Sequence, residues 1–350
     1  METKYISHFI SNNITKLFGK LPNGESVHSC KLINDNGMEV HIINYGATIT
    51  AIKIPLQNGT IIDTVLGFDN LSGYVDSFAG LDAPYYGATV GRYAGRIKDG
   101  KFSLNETNFQ LNTNNNNNTL HGGINNFSQK VWDIIDIKEG DLPSVKMRLI
   151  SPDNDEHFPA ELTIEVAYTL NNQNELLVSY HATANADTII NLTNHSYFNL
   201  DGHDTTVANQ DLTICSDKML ETTMTNIPTG KIVATTHGPF DFTSARKCPT
   251  TIDNTFIAPK YNEVAAILYS PNNKLQMTVH TTQPSVHVYV GGACKAGLNA
   301  KNGAAYHSRS GICFEAQNYP DAPNHPNFPS AILKKGEVYH HKTSYNFQSL

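Results

Sequence analysis

The chain has no long apolar run. No segment approaches the roughly eighteen apolar residues of a membrane-spanning helix, and polar residues interrupt Met1 to Lys20 too often for a signal-peptide core. Cysteine is scarce: Cys30, Cys215, Cys248, Cys294 and Cys313 are odd in number, scattered and never at a paired zinc-type spacing. A disulfide framework is therefore excluded, reduced thiols are expected, and the location expected is cytoplasmic. The Asn-x-Ser/Thr matches at Asn13, Asn58, Asn105, Asn126 and Asn191 follow from an asparagine-rich composition, since glycosylation needs a secretory route. Basic charge is also in deficit. Lys and Arg total 25 against 32 Asp and Glu, a formal net charge of −7, and no basic run interleaves with aromatics. Nucleic acid and membrane are thereby disfavoured as partners, and small molecules favoured.

Long helical periodicity is missing too; only Asn70 to Phe78 reads as a short helix. The dominant period is two. Leu162, Ile164, Val166, Tyr168 and Leu170 alternate with Thr163, Glu165, Ala167 and Thr169, and the alternation resumes after Asn171 to Asn174 at Leu176, Val178 and Tyr180. That pattern predicts a β-hairpin. The layout recurs from Val264 to Ser270, turns at Pro271 to Asn273, continues through Leu275, Met277 and Val279, and is followed by Val286, Val288 and Val290. Asn114 to Asn118 reads as a low-complexity exposed loop, and Gly46 and Gly91 to Gly95 as tight bends. With turns about every ten residues and no linker, the expected architecture is all-β: one large antiparallel β-sandwich spanning 1–350 as a single domain.

Two stretches carry the chemistry. Ile190 to Leu200 sets His195 among amides, hydroxyls and aromatic rings, where an imidazole could move a proton at neutral pH, although a core histidine satisfied by its neighbours fits as well. Far downstream, Glu315 follows the apolar run Gly311 to Phe314 and precedes a proline-studded loop, which predicts a carboxylate where a sheet ends and a site can open. His287 and Tyr289 alternate with the three valines, so they line either a concave groove or solvent.

Taken together, these and other short motifs resemble the aldose 1-epimerases, also called galactose mutarotases. The resemblance runs nearly end to end through Tyr45 to Thr48, Gly91 to Ile97, Leu120 to Gly123, Trp132, Phe158 and Pro159, Thr193 to Leu200, Asp253 to Phe256, and the Glu315 segment. It implies a large β-sandwich with an open sugar cleft, an aldose such as galactose or glucose as the small-molecule partner, and acid/base chemistry without metal or cofactor. It further implies Glu315 as general base, His195 as general acid, His121 near the ring oxygen, and Arg96 and Asp253 on sugar hydroxyls. The residues alone would leave Arg96 in a structural salt bridge, with Arg92 equally able to reach a cleft; the resemblance assigns the cleft to Arg96 and leaves Arg92 structural. Two departures stand out. Gly95 replaces an Asn common before the Arg, and His287 stands where an amide side chain is common, which puts hydroxyl recognition in question.

The reaction asks for such a set. Interconverting anomers removes the C1 hydroxyl proton while the ring oxygen is protonated, so one base and one acid suffice, and the unchanged oxidation level at C1 needs no redox cofactor. Ionised Glu315 and protonated His195 are the expected starting states. Three rivals remain open at this level. A metal-dependent hydrolase is suggested by fifteen histidines, but His121, His195 and Glu315 lie far apart in sequence, and His340 and His341 would point to opposite faces of a strand. A sugar-binding module without activity would not require the Glu and both His. A hexose-phosphate epimerase would need a basic cluster, for which only Arg92, Arg96 and Lys98 offer themselves. A monomer and a homodimer are equally compatible with the sequence.

Overall fold

A computed structural model describes residues 15–79, 83–260, 263–291 and 300–350. Met1 to Ile14, with Asn13, and Cys294 lie outside the described residues. Three large sheets account for most strands: one of five, one of six and one of nine. The predicted hairpin is the strand pair Leu162–Leu170 and Glu175–Ala184, third and fourth in the nine-stranded sheet, with Val166 opposite Tyr180. The second predicted hairpin is also present, as Ala266–Ser270 paired with Leu275–Thr281. Its third run does not continue that sheet. Ser285–Val290 crosses to the six-stranded sheet and pairs antiparallel with Ile252–Ile257 on one side and Ile312–Gln317 on the other.

The two larger sheets are joined by burial of their alternating apolar faces. Val286, Val288, Val290, Ile312 and Phe314 from the six-stranded sheet share one buried cluster with Ile164, Val166, Tyr168, Val178 and Tyr345 from the nine-stranded sheet. Each such side chain contributes about 1.5–3 kcal/mol on removal from water. Because side chains alternate, sending the valines inward forces His287 and Tyr289 to the opposite face of the same strand. Likewise Ile312 and Phe314 face the core, so Cys313, Glu315 and Gln317 face the other way. Glu315 is thus the fourth residue of the six-residue strand Ile312–Gln317, and not at its end as the downstream prolines implied.

The short helix is Leu71–Phe78, capped by Asn70, whose side-chain oxygen accepts the Gly73 amide hydrogen at 3.0 Å. Its buried Phe78 stacks on Tyr45 and on Tyr85, at ring centroid distances of 5.9 and 6.4 Å. The helix therefore backs Tyr85, which forms part of the cleft wall. Among the described residues no helix is long and apolar enough to cross a membrane.

The asparagine tract departs from the exposed loop expected of it. Asn114 and Asn118 are buried, and Asn116 and Asn117 both have positive φ (45° and 66°). Asn115 and Asn118 exchange backbone hydrogen bonds around them, so residues 115–118 form a tight two-residue hairpin turn of the kind Asn favours. Low complexity here encodes a defined turn.

Candidate active site

A cleft of about 430 Å³ opens on the outer face of the six-stranded sheet. Cross-strand register builds its floor. Glu315 lies directly opposite His287, which lies opposite Thr255; one row over, Cys313 opposes Tyr289, which opposes Asp253. All six residues singled out from the sequence, Arg96, His121, His195, Asp253, His287 and Glu315, line this one cleft. Arg92 does not. Its guanidinium is buried and donates to the backbone carbonyls of Ser151, Pro152, Pro159 and Ala160, where burial lowers its pKa to about 10.

His195 arrives from a neighbouring segment held by backbone pairing: its amide donates to Ala88 O at 2.9 Å and its carbonyl accepts from Gly87 N at 3.0 Å. Its ring stacks on Tyr197 at 5.1 Å. Nε2 stands 3.4 Å from Glu315 Oε1, and Nδ1 stands 3.6 Å from the thiol of Cys313. Burial pushes the His195 pKa below the ordinary imidazole value, and the nearby Glu315 charge only partly offsets this. The protonated resting state expected for this ring is therefore the disfavoured one. Glu315 is 2% exposed, and its Oε2 has no hydrogen-bond partner among the described residues. Buried acceptors rarely stay unpaired, so this oxygen is poised for a ligand donor.

Arg96 lies opposite Leu120 in the short strand pair of Arg96–Ile97 with Thr119–Leu120, and His121 follows directly. The His121 amide donates to Gly95 O, and the Gly95 amide donates back to His121 Nδ1 at 3.3 Å. Gly95 holds φ at 80°, and a Cβ there would lie 3.0 Å from Pro320 Cγ, so any larger residue at this position would be strained. Because Nδ1 accepts, the neutral ring carries its proton on Nε2. Burial first, then the charges of His195, Arg96 and His287, hold the His121 pKa well below that of free imidazole. His121 is a neutral hydrogen-bond donor.

Opposite them, His287 Nε2 lies 2.8 Å from Asp253 Oδ1 and Nδ1 lies 2.9 Å from Thr255 Oγ1. Asn226 Nδ2 donates to the second Asp253 oxygen at 2.6 Å. Burial works against charge on both groups, yet their mutual hydrogen bond and charge win: the His287 pKa is raised and the Asp253 pKa lowered. Both shifts favour the charged forms, and the pair is held from both ends by Thr255 and Asn226.

The ligand atoms of His121, His195 and Glu315 fall within 4.8 Å of one another, a cluster that sequence separation gave no reason to expect. As a metal site the set fits poorly. The one lone pair on the neutral His121 ring is already taken by the Gly95 amide hydrogen, so the ring presents N–H to the cleft where a cation needs a free nitrogen. As an acid/base site it fits well: a carboxylate and an imidazole side by side, a neutral donor adjacent, and an ion pair and a guanidinium for hydroxyls.

Several cleft residues escaped sequence reasoning. Thr255 and Gln317 lie two positions from Asp253 and Glu315, so strand alternation alone could have found them. The same alternation puts Cys313 on that face, where it meets His195 Nδ1 without itself lining the cleft. Tyr85, Asn115 and Asn226 sit on turns and loops, and only the folded chain reveals them.

The sequence pattern of the family described as Aldose 1-epimerase matches residues 28–346. A galactose mutarotase of Mus musculus is 36% identical over 95% of this chain and 97% of its own, and an aldose 1-epimerase of Escherichia coli K12 is 31% identical over 93% and 96%. Among solved structures, a GalM/aldose epimerase homologue from C. elegans superposes with a TM-score of 0.84 at 29% identity, covering 91% of this chain and 98% of that one. A galactose 1-epimerase from Lactobacillus acidophilus gives 0.82 at 26% identity, covering 95% and 98%. With the family pattern and full-length relatives agreeing on a fold whose cleft gathers these residues, the chain belongs to the aldose 1-epimerase family.

Proposed function

We propose that the protein interconverts the α and β anomers of aldohexoses such as galactose and glucose, with Glu315 as general base and His195 as general acid. The observation that carries this reading is the 3.4 Å approach of His195 Nε2 to Glu315 Oε1 at the cleft floor. The two oxygens that exchange protons in ring opening, the C1 hydroxyl and the ring ether, hang on the same carbon. An acid and a base that serve them must therefore stand next to each other.

In the forward step Glu315 takes the C1 hydroxyl proton while His195 delivers one to the ring oxygen, and the C1–O5 bond breaks to leave the open aldehyde. Rotation about C1–C2 presents the other face, and closure returns both protons by the same route. The lowered His195 pKa makes its imidazolium a stronger acid, which suits a weakly basic ether oxygen. His121, as a neutral N–H donor, steadies the ring oxygen as charge shifts on it. Arg96 and the Asp253–His287 pair hold the remaining hydroxyls, with charge-assisted hydrogen bonds setting the sugar's orientation.

A hexose-phosphate substrate is the weaker reading, because Arg96 is the one Lys or Arg among the described lining residues and two carboxylates share the cleft with it. Every side chain used in this reading lies in one chain, which is compatible with a monomer and with a homodimer alike. A cytoplasmic location accords with Cys30, Cys215, Cys248 and Cys313 being free thiols. The deciding experiment follows the optical rotation of freshly dissolved α-galactose and α-glucose with and without protein. Acceleration of either supports the assignment; binding of sugar without acceleration leaves a sugar-binding module instead.

A further inference from the structure

Arg96 Nε donates to Asn115 Oδ1 at 3.1 Å, and Asn115 lines the cleft. Resting on the sugar-cleft reading above, we infer that Asn115 is a specificity-determining residue: its Oδ1 orients Arg96 and its Nδ2 donates to a sugar hydroxyl. The amide's orientation follows from chemistry. Arg Nε can only donate, so the oxygen of Asn115 faces it and the NH2 group is the half left over. No hydrogen-bond partner of that NH2 exists among the described residues, although Asn115 is half-buried.

The scaffold beneath Asn115 is built to hold it still. Asn114 donates to Leu120 O and Gly123 O, both at 3.0 Å, and accepts from Leu120 N at 2.7 Å, which ties the turn to the strand Thr119–Leu120 that leads into His121. Asn118 accepts from Asp99 N at 3.0 Å, which ties the other side of the turn to the segment following Arg96. Asn116 and Asn117 supply the two left-handed residues between them. Four of the five asparagines thus have backbone or pinning duties, while the side chain of Asn115 is turned to Arg96 and the cleft. A side chain so placed, on a short rigid turn, loses little entropy on meeting a ligand. Gly95 brings no side chain to this corner of the cleft, where the Gln317 amide lies 3.4 Å from the place its Cβ would take, and Asn115 adds a second amide on the side of Arg96.

The test compares wild type, Asn115→Ala and Asn115→Asp on galactose, glucose and a series of monodeoxy galactoses, reading KM and kcat by polarimetry and binding by saturation-transfer NMR. One neutral hydrogen bond predicts that Asn115→Ala raises KM about three- to tenfold with kcat nearly unchanged. One monodeoxy sugar, lacking the hydroxyl that Asn115 meets, should show no further loss. Asn115→Asp keeps an oxygen for Arg96 but removes the donor, so it should lose the same discrimination. Asn116→Gly, which preserves the turn, serves as the control and should match wild type. Asn115→Ala and Asn115→Asp both within twofold of wild type, an Asn115→Asp variant indistinguishable from wild type, or equal losses on every deoxy sugar would each overturn the inference. Failure of the wild-type protein to speed mutarotation would instead sink the proposed reaction, and the NMR comparison would still decide the role of Asn115.

Discussion

His195 Nε2 and Glu315 Oε1 lie 3.4 Å apart, with side chains only 5% and 2% exposed. Both are sealed from bulk water, and in the proposed reaction a sugar lying over the two would meet a base and an acid already placed for adjacent oxygens. Glu315→Gln and His195→Asn keep the approximate shape and remove the proton chemistry. Each should lower kcat about 10²- to 10⁴-fold while galactose binding, measured calorimetrically, changes little. The pH dependence of kcat/KM should fall on both sides of an optimum. Its alkaline limb should lie below the ordinary imidazole value, because burial lowers the His195 pKa. Glu315→Gln should erase the acidic limb, and near-normal turnover with that limb intact would remove Glu315 from the role of base.

Chelation should leave the activity untouched. His121 Nδ1 is occupied by the Gly95 amide, so the His121, His195 and Glu315 cluster offers a cation one nitrogen fewer than its distances imply. Exhaustive dialysis against a chelator, with elemental analysis and polarimetry before and after, checks this. Loss of turnover that zinc restores would mean the His121 ring adopts the other tautomer.

Of this site, the period of two in β-structure pointed to His287, whereas Arg96, His121, His195, Asp253 and Glu315 took their places from the family resemblance. Once Val286, Val288 and Val290 are placed inward, His287 must face outward, and the same logic exposes Glu315 beside Phe314. Pairing across strands is another matter. His287 and Glu315 are opposite neighbours only because two strands 28 positions out of step in sequence share a register, which no local pattern states. The Asn114 to Asn118 tract misled for a related reason. Composition predicts solvation, whereas the buried amides of Asn114 and Asn118 are satisfied by backbone groups that approach only in the folded chain. His121 could be placed in the cleft by resemblance, but its tautomer depends on a single amide hydrogen from Gly95.

Acid should destabilise the fold partly through His341. This residue is 4% exposed on the inner face of the strand Tyr339–Ser349, stacked on Tyr180 at 4.8 Å, while His340 beside it is exposed. Burial lowers the His341 pKa from 6.5 to about 3. Between those values the unfolded chain binds a proton that the native state does not, so stability is lost as pH falls from 6.5 towards about 3, at up to roughly 1.4 kcal/mol per pH unit. His341→Phe retains a ring against Tyr180 and removes the proton site. Urea unfolding at a series of pH values should show a shallower decline for the variant. Parallel curves would assign the acid sensitivity to other groups.

The Asp253–His287 pair should make sugar affinity pH-dependent in the opposite direction. Burial opposes charge on His287, but the 2.8 Å hydrogen bond to Asp253 and its negative charge raise the His287 pKa above 6.5. Protonated, the ring donates from Nε2 to Asp253 and from Nδ1 to Thr255, so both partners are held. A raised pKa means this arrangement is complete below 6.5 and is lost as pH climbs through the folded value. With the proton gone, Nε2–H still donates to Asp253 and the Thr255 hydroxyl can donate to Nδ1, but the hydrogen bond to Asp253 loses its charge assistance and holds that carboxylate less firmly against the sugar of the proposed reaction. KM for galactose should therefore rise about three- to tenfold on the alkaline side, with a smaller effect on kcat. His287→Gln replaces a titratable donor with a neutral amide. It should flatten that rise and change the ratio of kcat/KM for glucose to that for galactose, while thermal stability moves little. Steady-state measurements on both sugars across the neutral range decide it: a variant that keeps the alkaline rise and the wild-type sugar ratio would strip His287 of any part in recognition.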